Sequence, residues 1–134
     1  MNINDYASEG GEQQALFEWA KRCVGIYPEL EALYHVPNEG KRGRAAAGKL
    51  KAEGLRAGVP DVCLPVPRGV YGALYIEMKR PKGGRMSEEQ KKWIERLRRA
   101  GNRVEVCRGF EDAARVIMQY LGMKGCVEHV GRQD

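Results

Sequence analysis

Apolar residues recur at helical spacing near the start of the chain. The run EQQALFEWAKRCV, residues 12–24, carries them at Leu16, Phe17, Ala20, Cys23 and Val24. This period predicts an amphipathic helix with one apolar face. Residues 8–11 precede the helix as a start signal, and Pro28 separates it from the segment that follows.

Three apolar runs of strand length come next. They span residues 33–37, 59–66 and 71–79, and a basic, Ala- and Gly-rich loop with a short helix over 45–53 separates the first two. Pro60 stands at the entry of the second run, where a missing amide is tolerated. The short Pro-Arg-Gly turn between the second and third runs predicts that these strands pair as a hairpin.

Helical and strand patterns alternate in the second half. A helix is predicted over 87–99, a strand over 102–108 and a last helix over 110–122. The inner side of the first of these helices is predicted to carry Trp93, Ile94, Leu97 and Ala100. The order describes an α/β protein with a mixed four-stranded sheet flanked by helices. We expect a single domain over residues 1–134, with its core over about 9–121 and a tail over 122–134.

Charge is segregated along the chain, whose net charge is +5. Residues 41–58 hold six basic side chains against one acidic, and residues 79–103 hold ten against three. Together these windows carry +12, so the remainder carries −7. The pattern predicts a basic face on an acidic body, which suits a polyanionic partner such as nucleic acid. A solvated surface rich in lysine and arginine is the alternative.

Neither a membrane segment nor a cysteine metal motif is apparent. The first fourteen residues are polar and no later run is long enough to span a bilayer, so we expect a soluble protein in the cytoplasm. The four cysteines are scattered singly, without CxxC or histidine spacing, at Cys23, Cys63, Cys107 and Cys126. This arrangement predicts buried thiols in place of disulfides or a zinc site.

The stretch GALYIEMKRPKGG places two charges at the end of an apolar strand. Residues i and i+2 of a strand share a face, so Glu77 and Lys79 point to one side while Ile76 and Met78 point to the other. Burying an unpaired charge is costly, so the two charges need a reason. They can neutralise one another, or end the strand in water, or carry chemistry.

A third charged residue joins them if the hairpin forms. Asp61, in GVPD, then lies level with Glu77 and Lys79, although it can also act as a turn aspartate. Carboxylate oxygens suit Mg²⁺ or Mn²⁺, so we predict an ion held by Asp61, Glu77 and the backbone carbonyl of Met78. Such an ion lowers the pKa of a bound water and polarises a phosphate, and Lys79 would orient that water or stabilise the developing charge. These are the parts needed to cut a phosphodiester.

These motifs resemble those of the PD-(D/E)xK nuclease superfamily, in which PD precedes E-x-K. The sequence is most similar to the VRR-NUC branch, the virus-type replication-repair nucleases, in its stand-alone phage and bacterial members. The matching runs are VPN at 36–38, AGVPD at 57–61, IEMKRPKG at 76–83, EEQKKWIERL at 88–97 and NRVEVCRG at 102–109. The resemblance covers roughly residues 9–121. It implies a restriction-endonuclease-like core in αβββαβ order, in a bacterial or phage-infected cell.

Two further site residues come with the resemblance. Gln90 matches the glutamine that this family places in the helix after E-x-K, facing the metal. Ser87 and Gln90 also have the spacing of a capping box, so Gln90 has two candidate roles. Glu12 matches an acidic residue of the first helix that often supplies a third carboxylate, and Glu9 and Glu18 compete with it for that role.

DNA contacts are expected on the basic segments. These contacts would hold the backbone without reading bases. The residues predicted to make them are Asn38, Lys41, Arg42, Arg44, Lys49, Arg80, Lys82 and Arg85. Asn38 can instead cap a turn. His35 and His129 are separated and lack partners, so neither is assigned a catalytic role.

The predicted function is a Mg²⁺- or Mn²⁺-dependent DNA endonuclease. The resemblance implies branched DNA such as four-way (Holliday) junctions as substrate, cut by a homodimer, since symmetric cleavage needs two sites. Neither a membrane partner nor a small-molecule cofactor is expected. A flap or restriction-type nuclease on the same core is one alternative. A non-catalytic DNA-binding module is another, and the intact Asp61, Glu77 and Lys79 argue against it.

Overall fold

The computed structural model describes residues 9–37 and 44–124, with side chains for residues 10–37 and 48–124. The helices and strands of these parts are α1 (Glu9–Cys23), β1 (Tyr34–His35), α2 (Arg44–Ala52), β2 (Val62–Leu64), β3 (Leu74–Lys79), α3 (Glu88–Arg99), β4 (Arg103–Arg108) and α4 (Phe110–Leu121). A 3-10 turn over Pro28–Ala32 links α1 to β1. The predicted order of elements is confirmed.

The four strands form one mixed sheet in the order β1-β2-β3-β4. The β1–β2 and β2–β3 pairs are antiparallel and the β3–β4 pair is parallel, so the predicted hairpin and the predicted α/β class are both confirmed. β2 is shorter than the predicted 59–66 strand. Prolines at positions 60, 65 and 67 lack the amide that a ladder needs, which limits the paired segment to three residues.

One face of the sheet carries the main apolar core. Helices α1 and α4 pack on it, and the buried members are Leu16, Trp19, Ala20, Val62, Leu64, Leu74, Ile76, Met78, Cys107, Ala113, Val116 and Ile117, among others. Trp19 was absent from the predicted inner face of α1, yet it is 1% exposed and meets the ring of Phe110 edge-on at 6.5 Å. Phe17 and Val24, which were predicted there, are only partly buried.

Helix α3 covers part of the opposite face. Ile94 is buried on its inner side, and the Arg98 guanidinium donates to the carbonyl of Val104 in β4 at 2.7 Å. The prediction that Ala100 lies on this inner side is wrong, because Ala100 is the exposed C-cap residue, beyond the last helical turn. α3 therefore lies against the β4 side of the sheet.

The cysteine prediction holds at two positions and fails at one. Cys63 and Cys107 are free and buried, and burial raises the pKa of the Cys107 thiol to about 12. Cys23 is disulfide-bonded, so the expectation of a thiol there is wrong. The spacing of single cysteines along a chain does not indicate which of them meet in space. Cys126 lies outside the described residues.

The chain stays packed to the end of its described part. Met123 is buried in the core, and the Lys124 amide donates to the Tyr27 hydroxyl at 2.6 Å. The division into a core over 9–121 and a tail stays a prediction. Among the described helices, none combines the length and apolar character that a membrane span requires.

Candidate active site

The hairpin brings two acidic residues level with each other. Val62 pairs with Ile76 in the β2–β3 register, and one further step along that register places Asp61 opposite Glu77. Directly opposed residues have Cβ atoms about 4.5–5.5 Å apart. Asp61 is 7% exposed and Glu77 is 1% exposed. We call these two residues the carboxylate pair.

Asp61 is held by the backbone of both neighbouring strands. Its Oδ2 accepts a hydrogen bond from the Met78 amide at 2.8 Å. Its carbonyl accepts from the Val36 amide at 2.7 Å, and the Nδ1 atom of His35 lies 2.9 Å from the same oxygen. His35 was expected to lack a partner, and that expectation is wrong. Because β1 pairs with β2, a residue remote in sequence reaches the backbone of Asp61.

Lys79 and Gln90 surround the other carboxylate. The Nζ atom of Lys79, a residue that is 5% exposed, lies 3.6 Å from Glu77 Oε2. The side-chain amide of Gln90 donates to the same oxygen at 3.1 Å, and its carbonyl oxygen accepts from Lys79 at 3.2 Å. The three side chains form a closed set of contacts on the α3 face of the sheet.

Gln90 forms the predicted capping box and also contacts Glu77 and Lys79. Its role in the site stays a prediction. Ser87 is the N-cap of α3, and its hydroxyl accepts from the Gln90 amide at 3.1 Å. In return the Gln90 side-chain oxygen accepts from the Ser87 amide at 2.9 Å, which completes a capping box. Because the cap fixes the direction of the side chain, Gln90 presents its amide group to Glu77.

Gly58 was not singled out from the sequence, yet it lies against the helix turn that carries Gln90. Its φ is +88°, and a Cβ built on it would lie 2.6 Å from the backbone carbon of Glu89 and 2.8 Å from the Gln90 nitrogen. Only glycine allows the loop before Asp61 to approach the first turn of α3 this closely. Gly58 lies within the AGVPD run of the sequence. The sequence does not show that its neighbour is the first turn of α3, because that contact depends on tertiary structure.

Glu12 lies at the same end of the sheet but binds a different group. Its Oε2 accepts from the amide of Phe110, the first residue of α4, at 2.6 Å. The preceding residue, Gly109, donates its amide to the carbonyl of Lys79 at 3.0 Å, which places Glu12 near the end of β3. Glu18 is exposed and pairs with Arg22, and the side chain of Glu9 lies outside the described residues.

The described DNA-contact candidates lie on the surface. Lys49, Arg80, Lys82 and Arg85 are exposed. The guanidinium of Arg108 donates to the carbonyls of Arg80, at 3.2 Å, and of Gly83, so it anchors the loop that carries three of these residues. Asn38, Lys41 and Arg42 lie outside the described residues, and Arg44 is described only as the start of α2.

The donor set at the sheet end consists of oxygen atoms. Within the described parts of the chain, no group of three His, Cys, Asp or Glu side chains is arranged to hold a metal ion. The carboxylate pair supplies two such side chains, and Met78, the residue after Glu77, is the candidate to add a backbone carbonyl. An all-oxygen set is the type that Mg²⁺ and Mn²⁺ prefer.

This chain is similar to a known protein family and to solved structures. The family model for the VRR-NUC domain matches residues 7–111. A solved structure named VRR_NUC domain protein is 29% identical with a TM-score of 0.72, over 86% of this chain and 88% of that one. Another, named VRR_NUC domain, is 22% identical with a TM-score of 0.47, over 79% of this chain and 97% of that one. No curated protein sequence gives a significant match.

The matched region contains the first helix, all four strands and the Gln90 helix, so it includes every described residue of the candidate site. The fold of the first of these solved structures agrees with the mixed sheet and flanking helices described above. The chain therefore belongs to the VRR-NUC family, a family of nucleases.

Proposed function

We propose that this protein is a Mg²⁺- or Mn²⁺-dependent endonuclease that hydrolyses phosphodiester bonds in branched DNA, with four-way junctions as the preferred substrate and a homodimer as the active form. The observation that carries this proposal is the carboxylate pair, buried at one level of the β2–β3 hairpin, with Lys79 and Gln90 in contact with Glu77.

Opposed carboxylates are an unfavourable arrangement unless something compensates them. Like charges directly across two strands destabilise a sheet, and burial strengthens the repulsion. The Met78 amide, the Gln90 amide and the Lys79 ammonium offset part of this cost. A divalent cation between the carboxylates would offset the rest, so the residues present fit such an ion. When bound, it supplies a water of lowered pKa and polarises the phosphate.

Each side chain of the site would have a distinct role in the reaction. The carboxylate pair would hold the ion, together with the Met78 carbonyl. Lys79 retains a small exposed area, so its ammonium can meet the attacking water or the charge that develops on the phosphate. Gln90 would orient Lys79 and Glu77, because it touches both while the capping box fixes it.

Glu12 remains our candidate for a third carboxylate. One of its oxygens is bonded to the Phe110 amide. A role beside the ion would therefore use its other oxygen, or require that bond to open. Exposed basic residues on the loop after β3, Arg80, Lys82 and Arg85, would hold the DNA backbone without reading bases.

Junction cleavage would require two copies of the chain. One compact domain has one site, and symmetric cuts need two sites related by a twofold axis. We therefore expect light scattering of the free protein to give twice the chain mass of 15.0 kDa. Binding should weaken steeply as salt rises, since phosphate contacts release counterions.

A substrate panel tests the proposal. The purified protein is incubated with linear, flap and four-way-junction DNA of matched sequence, in Mg²⁺, in Mn²⁺ or in EDTA. We expect paired nicks on opposite arms of the junction with either metal and none in EDTA, while the linear duplex is spared. A monomer that nicks flaps and ignores junctions would contradict the junction assignment and leave the nuclease assignment standing. Cutting in EDTA would contradict the metal requirement.

A further inference from the structure

A row of side chains on the α3 face lies next to the carboxylate pair and is not used by the proposed chemistry. Tyr34 of β1 pairs with Cys63 of β2, which pairs with Tyr75 of β3. Asp61 and Glu77 each stand two residues away from a member of this row. Because i and i+2 share a face, all five side chains point to the same side of the sheet.

The tyrosine at the outer end of this row lies on the edge strand of the sheet and is exposed. Tyr34 is 48% exposed, whereas its partner Cys63 is 1% exposed. Hydrogen bonding with the Cys63 side chain, with burial second, raises the pKa of Tyr34 to about 12. The phenol therefore stays protonated at neutral pH, and about half of the surface of the residue is open to solvent.

The strand register places the backbone of Tyr34 about two nucleotide steps from that of Asp61. Tyr34 is the diagonal cross-strand neighbour of Asp61, and such neighbours lie about 7–8 Å apart. Stacked nucleotides advance about 3.4 Å each along a strand. A strand whose phosphate reaches the carboxylate pair would place a base one or two nucleotides away against Tyr34.

We propose that Tyr34 is a stacking platform for an unpaired nucleobase of the DNA that occupies the active site. Stacking on an aromatic ring tolerates any base, because every base has a π-face. Bases inside a duplex are already stacked on both sides, so an exposed ring selects DNA with an unpaired or branch-point base. This inference rests on the proposed function and gives a physical origin for a preference for branched over linear DNA.

Three variants test the platform. Tyr34→Ala removes the ring, Tyr34→Phe keeps the ring but removes the hydroxyl, and Tyr71→Ala is the matched control. Tyr71 is 39% exposed and lies before the start of β3, at the end of the strand remote from Lys79. Affinity is measured in Ca²⁺ for two DNAs of the same sequence, a duplex with a three-nucleotide single-stranded gap and the fully paired duplex. Separately, cleavage of the four-way junction by the wild type is measured in Mg²⁺.

We expect Tyr34→Ala to weaken binding to the gapped DNA by about 5- to 150-fold and to leave binding to the duplex unchanged. Tyr34→Phe and Tyr71→Ala should bind both DNAs like the wild type. Equal losses on both DNAs, no loss at all, or a change of oligomeric state in Tyr34→Ala would overturn the platform, while junction cleavage by the wild type would leave the nuclease proposal intact. A wild-type protein that neither binds nor cuts these DNAs would overturn both.

Discussion

The two faces of the sheet differ in what they bury. The face under α1 and α4 is apolar, with Ile76 and Met78 of β3 packed among leucines, alanines and aromatic rings. The face under α3 receives the intervening residues of the same strand, Glu77 and Lys79, together with Asp61 from β2. One six-residue strand thus contributes alternately to the core and to the candidate site.

This contrast divides the residues of the sheet into those that stabilise the fold and those that carry the proposed chemistry. Apolar burial contributes about 25 cal/mol per Å² to folding, so the α1–α4 face stabilises the fold. Buried like charges do the opposite, and a fold retains them only when they are compensated. We therefore expect substitutions on one face to change stability and substitutions on the other to change activity.

The largest expected effect is on cleavage by Glu77→Gln. The amide cannot hold the ion as a carboxylate does, and losing several kcal/mol of transition-state stabilisation slows cleavage by about a thousand-fold or more. The melting temperature should not fall, because one of two opposed charges is removed. The matched control is Glu105→Gln in β4, since Glu105 pairs with Ile76 in register and lies on the other face. Comparable loss of activity in the control would break the distinction between faces.

Ile76→Ala should show the reverse behaviour. Ile76 is 1% exposed in the main core, and truncating such a residue to alanine costs about 2–5 kcal/mol of unfolding free energy. Urea unfolding measures this loss. Cleavage per folded molecule should stay close to wild type. Val70→Ala, at a position 87% exposed, should change stability by no more than about 0.5 kcal/mol. A stable but inactive Ile76→Ala variant would show that the two faces are coupled.

Gly58→Ala should affect both properties. The new methyl group would meet the backbone of Glu89 at 2.6 Å and also strain a residue at positive φ, which alone costs about 1–3 kcal/mol. The loop before Asp61 would move away from Gln90, so cleavage falls as well. Gly54→Ala is the control, because Gly54 also has a positive φ of 110° but has open space around it. If both variants lose stability alone, Gly58 does not position the site.

The smallest expected effects distinguish the two roles of Gln90. Ser87→Ala removes the cap and should cost about 0.5–2 kcal/mol of stability, with little change in cleavage. Gln90→Glu keeps an acceptor for the Ser87 amide but places a carboxylate against Glu77. Its cleavage should fall, and the new carboxylate beside the buried Glu77 should also lower the melting temperature. Unchanged cleavage by Gln90→Glu would mean that the residue only caps the helix.

Sequence patterns predicted the features that depend on the spacing of apolar and polar residues within one helix or strand. Alternation in β3 and the short turn before it were enough to place Asp61 level with Glu77 and Lys79, because both follow from strand geometry. The order of elements and the main helical faces followed in the same way. The catalytic roles of these residues remain predictions.

Features that depend on how elements dock were not predictable in this way. The bond from the Phe110 amide to Glu12 joins residues 98 positions apart, and no local pattern encodes it. The same holds for the contact between His35 and the Asp61 carbonyl and for the disulfide at Cys23. Burial of Trp19 required the position of Phe110 in α4, which only the folded chain supplies.

The measurement that tests the central claim most directly is Mn²⁺ binding to the free protein, followed by electron paramagnetic resonance or calorimetry. The wild type and the variants Asp61→Asn, Glu77→Gln and Glu105→Gln are titrated under the same conditions. The carboxylate pair predicts that the wild type and Glu105→Gln bind the ion alike, while each single change in the pair strongly weakens binding and removes cleavage. Undiminished Mn²⁺ binding by both Asp61→Asn and Glu77→Gln would contradict the account.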